Sequence, residues 1–346
     1  MMKQVRMTFI GVSGSGKTNA IGSIWKQFST QAPHNFHMYV GGTDRSARAR
    51  IAGDLDRYAE IDENFVSAGT AIGKEIPVCF RGAFAPDLPT EPLVQLDLYD
   101  YPGGWLGDIT GTGSSNSSQL LDRIAYSDIL MLFADANVLT DPNLSMAQIT
   151  KQVAGNINTI FNTLATDAND IFFNRPRTVQ ILLTKCDSEL IPEELRKDNF
   201  LGLINRALEV FQPVVNFCRN CSNAWNCAVI PTSTCGNGHS HTYRTNDGVV
   251  VSKMTAAPEP YGFDLAVLYG ICRELEYRMN ERTDLCAGMP EELASGENMV
   301  SSWKWKYIVK RMGFLSRDRR ALYDQYIAQL RQIIDPMCRQ RRIAEF

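Results

Sequence analysis

Residues 11–18 read Gly-Val-Ser-Gly-Ser-Gly-Lys-Thr and match the pattern G-x-x-x-x-G-K-[ST] without a mismatch. This loop needs a strand before it and a helix after it. Val5–Ile10 is a short β-rich run, and Asn19–Phe28 reads as helix. Gly11, Gly14 and Gly16 let the backbone curl so that successive N–H groups point inward and form a nest for an anion. The dipole of the following helix adds positive potential at the same place. Lys17 can reach β- and γ-phosphates, and the Thr18 hydroxyl can ligate Mg²⁺. The predicted phosphate set is Gly11, Ser13, Gly14, Ser15, Gly16, Lys17, Thr18 and Asn19. A chance Gly/Ser-rich turn is the competing reading, and the flanking strand and helix argue against it. The loop calls for a nucleoside triphosphate without naming the base.

Strands and helices alternate after the loop. Strand patterns fall at Phe36–Val40, Pro77–Phe84, Leu93–Tyr99, Ile129–Ala134, Thr178–Leu183 and Ala228–Pro231. Helical patterns fall at 44–59, 144–166, Glu193–Phe217 and 262–281. Residues 64–75 read as loop, and the Gly/Ser/Thr-rich stretch 103–118 as a mobile segment. Asn246-Asp247-Gly248 marks a hairpin turn inside 236–260. The alternation predicts an α/β fold with a doubly wound, mainly parallel sheet, whose ligands bind beyond the carboxyl ends of the strands. From about Thr283 the alternation stops. Helical spacing returns at Leu322, Tyr326, Leu330, Ile333 and Ile334. The expected division is a nucleotide-binding domain over 1–282, with insertions at 36–75 and 236–260, and a basic α-helical C-terminal appendage over 283–346.

Composition matters mainly by what it excludes. The 346 residues carry a net charge of −3, which favours neither nucleic acid nor a membrane surface. Lys304–Phe346, however, holds 11 Lys/Arg against 4 Asp/Glu. Trp303, Trp305 and Tyr307 interleave with Lys304 and Lys306 in that tail. Lipid, nucleic acid and an acidic partner are its functional readings. The favoured one is a helix docked on the body with its charges solvated, since Glu291, Glu292 and Glu297 lie just upstream. No run approaches the roughly 18 apolar residues of a membrane span. The N-terminus runs straight into the phosphate loop and shows no export signal. The nine cysteines are therefore expected as reduced thiols in a cytoplasm. Cys218-Arg-Asn-Cys221, with Cys227, Cys235, His239 and His241 nearby, is half of a zinc knuckle. No second C-x-x-C exists, so reduced thiols are favoured over zinc at Cys218 and Cys221.

Three further motifs follow the loop in order. Leu96-Asp-Leu-Tyr-Asp100-Tyr-Pro-Gly103 ends a strand in a carboxylate with a glycine three residues on. Such an Asp can hold Mg²⁺ through water, and the glycine N–H can meet a γ-phosphate. Thr184-Lys185-Cys186-Asp187 closes another strand. A carboxylate there can accept from the N1–H and N2–H₂ edge of guanine, an edge that adenine lacks. Lys185 can brace the phosphate loop. Ser233-Thr234-Cys235 follows the last strand, where a backbone N–H can meet guanine O6.

In this order the motifs resemble those of TRAFAC-class, Ras-like P-loop GTPases. Gly11–Thr18 matches the family's phosphate loop, Asp100–Gly103 its Asp-x-x-Gly, and Thr184–Asp187 its [Asn/Thr]-Lys-x-Asp. Ser233–Cys235 matches its base loop loosely. The additional strand–helix pair at 36–59 and the Pro-containing run before Phe263 are similar to the bacterial double-GTPase group of conflict and defence gene clusters. The resemblance covers about residues 3–281. It implies GTP and GDP as ligands, Mg²⁺ at Thr18 and Asp100, and a GTPase switch acting through a protein effector or activator. It also implies catalytic roles for Lys17, Gly103 and a switch threonine. Thr70 is the candidate for the threonine, with Thr43 as the alternative. One departure stands out: where Ras-like enzymes place a water-orienting Gln directly after the glycine, this chain has Gly104. Hydrolysis is therefore expected to be slow or to need a partner. A non-hydrolysing scaffold is the alternative, and an ATPase or small-molecule kinase a weaker one.

Overall fold

The computed structural model describes residues 4–41, 44–60, 74–82, 94–102, 104–106, 115–166, 177–220, 225–246, 248–287 and 317–346. Five parallel strands form the centre of an eight-stranded sheet: β4 (Val94–Asp100), β1 (Gln4–Ile10), β5 (Ile129–Asp135), β6 (Arg177–Thr184) and β7 (Trp225–Pro231), adjacent in that order. Two antiparallel strands extend one edge, β3 (Lys74–Gly82) on β4 and β2 (Phe36–Val40) on β3. At the other edge a short β10 (Ala344–Glu345) runs antiparallel to β7.

The sheet is buried on both faces, as its apolar runs require. In β5 every residue from Ile129 to Ala134 is fully buried. In β1, Val5, Met7 and Phe9 face one layer, with helices α1 (Lys17–Lys26), α9 (Phe263–Ala287) and α10 (Arg317–Arg339). The other layer holds α3 (Ser115–Tyr126), α4 (Ala136–Leu139), α5 (Met146–Val153), α6 (Gly155–Thr166), α7 (Glu193–Val210) and α8 (Gln212–Asn220). Helix α2 (Arg45–Ala59) packs on α1, and Asp44 caps it by accepting from Ser46 N and Ala47 N. Each fully buried Leu, Ile or Phe contributes about 1.5–3 kcal/mol of burial energy.

The α/β, mainly parallel fold expected from the motif order is present, together with the C-terminal helix. Strands β8 (Ser240–Arg244) and β9 (Val250–Met254) form the hairpin expected around Asn246–Gly248. Several element boundaries differ from expectation: β3 starts at Lys74, inside the stretch 64–75 read as loop, β7 starts at Trp225, and α9 runs on to Ala287, past the expected end at 281. The run read as one helix over 144–166 breaks at Ala154, whose ψ of −8° leaves the helix and ends α5. The run Glu193–Phe217 divides at Phe211 between α7 and α8, and Lys197–Phe200 depart from helical geometry inside α7. The far end of the expected mobile stretch 103–118 is already helix from Ser115, while 107–114 lie outside the described residues.

The tail helix α10 buries Tyr323, Tyr326, Leu330 and Ile334 against α9 and the β2 side of the sheet. Its polar face is tied as well: Arg331 Nε donates to Glu276 Oε1 at 2.5 Å, and Arg273 bridges Glu276 and Glu345. Residues 288–316, which carry Trp303, Trp305 and Tyr307, lie outside the described residues. Among the described residues no helix is long and apolar enough to cross a membrane.

Candidate nucleotide site

The strand register brings the sequence motifs to one edge. β1 lies between β4 and β5, so Gly11 follows β1 beside Asp100 at the end of β4 and Asp135 at the end of β5. Thr184 ends β6 opposite Asp135. In the phosphate loop, Gly14 and Gly16 hold φ of 78° and 93°, in the left-handed region that glycine occupies without strain. A Cβ at Gly11 would lie 2.5 Å from Ser15 Oγ and 2.8 Å from Phe133 Cβ, so no side chain fits there. The loop is also held from the β6 side. Thr184 Oγ1 donates to Ser15 O at 3.0 Å, and Lys185 Nζ donates to Gly14 O at 3.3 Å. Lys185 sits at φ 59°, a conformation costing on the order of 1 kcal/mol for a non-glycine residue. Its ammonium is fixed by Asp135 Oδ2 at 2.5 Å.

Lys17 is buried within the loop it serves. Its Nζ donates to Gly11 O at 2.6 Å and Val12 O at 3.1 Å, and lies 5.3 Å from the centre of the Tyr101 ring. Burial pulls its pKa down to about 8, against the opposing pull of the Asp100 carboxylate. Tyr101 is itself fully buried, and its hydroxyl accepts from Gly11 N at 2.9 Å. Thr18 Oγ1 donates to the buried Asp100 at 3.3 Å. Two hard oxygen donors from separate elements thus meet beside the phosphate loop, a donor set suited to Mg²⁺.

At the far end of the site Asp187 is half-buried between two serines. Ser233 Oγ donates to its Oδ1 at 2.5 Å, and Ser240 Oγ to its Oδ2 at 2.8 Å. Ser233 Oγ also accepts from Cys235 N at 3.1 Å and Gly236 N at 2.8 Å. A hydroxyl has one proton and two lone pairs. With both lone pairs engaged, the Ser233 proton is committed to Asp187. Burial pushes the Cys235 thiol pKa up, so it stays neutral. The β6 and β7 ends are stitched together by Cys186 N to Thr232 O at 3.1 Å and Thr232 N to Leu183 O at 2.7 Å.

The structure therefore gathers Gly11, Ser13, Gly14, Ser15, Gly16, Lys17, Thr18, Asn19, Asp100, Thr184, Lys185, Asp187, Ser233, Thr234 and Cys235 along one carboxyl edge of the sheet. Thr70, its alternative Thr43, and Gly103 lie outside the described residues. So does Cys221, while Cys218 is a buried thiol. Among the described residues no group of three or more His, Cys, Asp or Glu is arranged to hold a metal ion. Three site residues escaped sequence reasoning: Tyr101, Asp135 and Ser240. Tyr101 stands inside the Asp100–Gly103 motif and Asp135 at the end of a strand, positions that could have flagged them. Ser240 carries no local signal.

No protein-family model and no curated protein matches the chain. Among solved structures it is similar to the signal recognition particle receptor SRb-GTP/SRX complex from Chaetomium thermophilum, at 15% identity and a TM-score of 0.39. The match spans 69% of this chain and 94% of that one. The sheet is the mainly parallel one expected, with the phosphate loop between its central strand β1 and α1.

Proposed function

We propose that the chain is a GTP-binding switch that hydrolyses GTP to GDP and phosphate with Mg²⁺. The observation that carries this reading is the arrangement of Asp187. A carboxylate held by the Ser233 hydroxyl stands on the same edge as a complete phosphate loop, and Lys185 from the same short motif touches both that loop and Asp135. The carboxylate would accept from N1–H and N2–H₂ of guanine, and the Thr234 N–H would donate to O6. Adenine would leave Asp187 without its donors.

At the phosphate end, the N–H groups of residues 14–18 and Lys17 would bind the β- and γ-phosphates. Lys17 would exchange its two loop carbonyls for phosphate oxygens. Thr18 and, through water, Asp100 would hold Mg²⁺, which when bound neutralises charge on the β- and γ-oxygens. Water attacks the γ-phosphorus, the bond to the bridging oxygen breaks, and GDP leaves. Positioning and electrostatics carry the step, with Lys17 and the Gly103 N–H as stabilisers and Thr70 as the closing threonine. In this reading residues 1–282 form the GTPase domain and the output is a changed contact with a protein partner. The double-GTPase group is the family analogy that this reading follows.

Gly104 supports a second reading. It is exposed, has no side chain to orient water, and is followed by the half-buried Trp105. A scaffold that holds GTP without cleaving it would need nothing more. Single-turnover phosphate release with Mg²⁺ separates the two. Release above the buffer rate that Lys17→Ala abolishes supports the enzyme. Release that never exceeds the buffer rate while GTP stays bound leaves the scaffold.

A further inference from the structure

The inserted hairpin β8–β9 lies across the base end of the site. Three side chains dock it there. Ser240 Oγ donates to Asp187 Oδ2 at 2.8 Å, His241 Nδ1 lies 2.7 Å from Glu189 Oε2, and Arg244 Nη2 lies 2.9 Å from Asp141 Oδ2. Only the first reaches the base-reading carboxylate. Ser240 is 5% exposed and opens β8, so its backbone is fixed by pairing with Met254. Next to it, His239 O accepts from Thr255 N at 2.9 Å.

We infer that Ser240 is a positioning residue that sets guanine specificity through Asp187. This rests on the reading of Asp187 as the guanine-binding carboxylate. An ionised carboxylate offers about four lone-pair sites on two oxygens. Ser233 takes one site on Oδ1 and Ser240 one on Oδ2. The Cys235 thiol beside them also hydrogen-bonds Asp187, as a weak donor that a base N–H can displace. Acceptor capacity for two strong donors remains, one per oxygen, and a guanine edge brings two. A single serine would fix one oxygen and leave the group free to turn about its Cβ–Cγ bond. Two serines from opposite sides fix its plane before the base arrives. Preorganisation of this kind strengthens binding by removing an ordering cost. It acts most on the ligand that uses both oxygens, which is guanine. Hypoxanthine lacks the 2-amino group and uses one.

Competition between a fluorescent GDP analogue and unlabelled GDP, IDP or ADP tests the inference on the full chain. Ser240→Ala is expected to weaken GDP about tenfold and IDP much less, so that the GDP/IDP preference falls several-fold. Ser240→Thr keeps the hydroxyl and should restore the preference. His241→Ala removes a hairpin contact without touching Asp187 and should leave it intact. If Ser240→Ala preserves the GDP/IDP ratio while Asp187→Asn destroys it, guanine reading stands and the role of Ser240 is overturned. If His241→Ala lowers the ratio as much as Ser240→Ala, placement of the hairpin and not the hydroxyl is responsible, and the inference fails. If the unaltered chain binds ADP as tightly as GDP, the guanine reading fails and the inference with it.

Discussion

At the scale of single residues, the site is a set of hydrogen bonds whose directions are fixed by valence. Two backbone N–H groups fill the lone pairs of Ser233 Oγ, so its proton goes to Asp187. The Asp187 carboxylate can then accept from a base edge and has nothing to donate. Asp187→Asn reverses half of that pattern: its amide N–H donates to the 2-oxo group of xanthine and opposes the 2-amino group of guanine. The expected outcome is a loss of GDP affinity of about a hundredfold or more, with XDP becoming the preferred ligand. Competition titrations with the two nucleotides measure it, and an unchanged preference would remove Asp187 from the base site. Asp187 was legible in the sequence because its motif is local: a strand end, a lysine and a carboxylate within four residues. Ser240 was not, since its bond to Asp187 spans 53 positions and depends on how a hairpin docks. Tyr101 was missed for a different reason. A tyrosine after a strand-end Asp is ordinary, and only the fold shows its hydroxyl receiving Gly11 N–H.

At the scale of elements, helix α3 shows how a neighbouring strand can secure a segment. It follows the stretch that contains Gly103, and its last carbonyls lack intrahelical donors. Ser127 N donates to Ile124 O at 3.3 Å, and Ser127 Oγ to Arg123 O at 2.7 Å. Arg177, the fully buried first residue of β6, donates to Ile124 O at 2.8 Å and to Ala125 O, and stacks at 5.3 Å on Trp225. Arg177→Ala removes both donors and the packing of the long side chain. It should lower the unfolding free energy by about 3 kcal/mol. Urea denaturation measures this, and a change under 0.5 kcal/mol (roughly the level of a neutral surface substitution) would show that α3 is secured elsewhere. The hairpin β8–β9 was legible because Asn246-Asp247-Gly248 is a local turn signal. The existence of α3 was not, because Ser115, Asn116, Ser117 and Ser118 are weak helix formers. The helix depends instead on Leu120 and Ile124 packing into the core. The breaks at Ala154 and Phe211 have local signals, Gly155 and Pro213, which the continuing apolar periodicity masked.

At the scale of the whole molecule, the alternation of strands and helices made the layered architecture legible, whereas the role of the tail needed the structure. Spacing of apolar residues showed a helix near Leu330. It could not show that this helix joins the core beneath β2 or that Ala344–Glu345 pairs with β7. Leu330 is fully buried among α9 and the sheet. Leu330→Ala is expected to cost about 3 kcal/mol of global stability, read as a lower denaturation midpoint with nucleotide absent. A loss confined to the tail, with the body's midpoint unchanged, would mean that the helix melts independently. The position of β1 has a consequence for time as well as for space. The strand that launches the phosphate loop is central, and its neighbours come much later in the chain: Arg6 N–H bonds to Asp128, 122 residues away, and Gly11 N–H to Tyr101, 90 residues away. Such non-local pairing makes folding slow, because a long loop must close before any contact compensates. During synthesis the phosphate loop therefore emerges early and waits. In the proposed reading, the ability to hold a nucleotide arrives only when distant segments have met, so nucleotide capture during refolding would be a clock for the last steps of assembly.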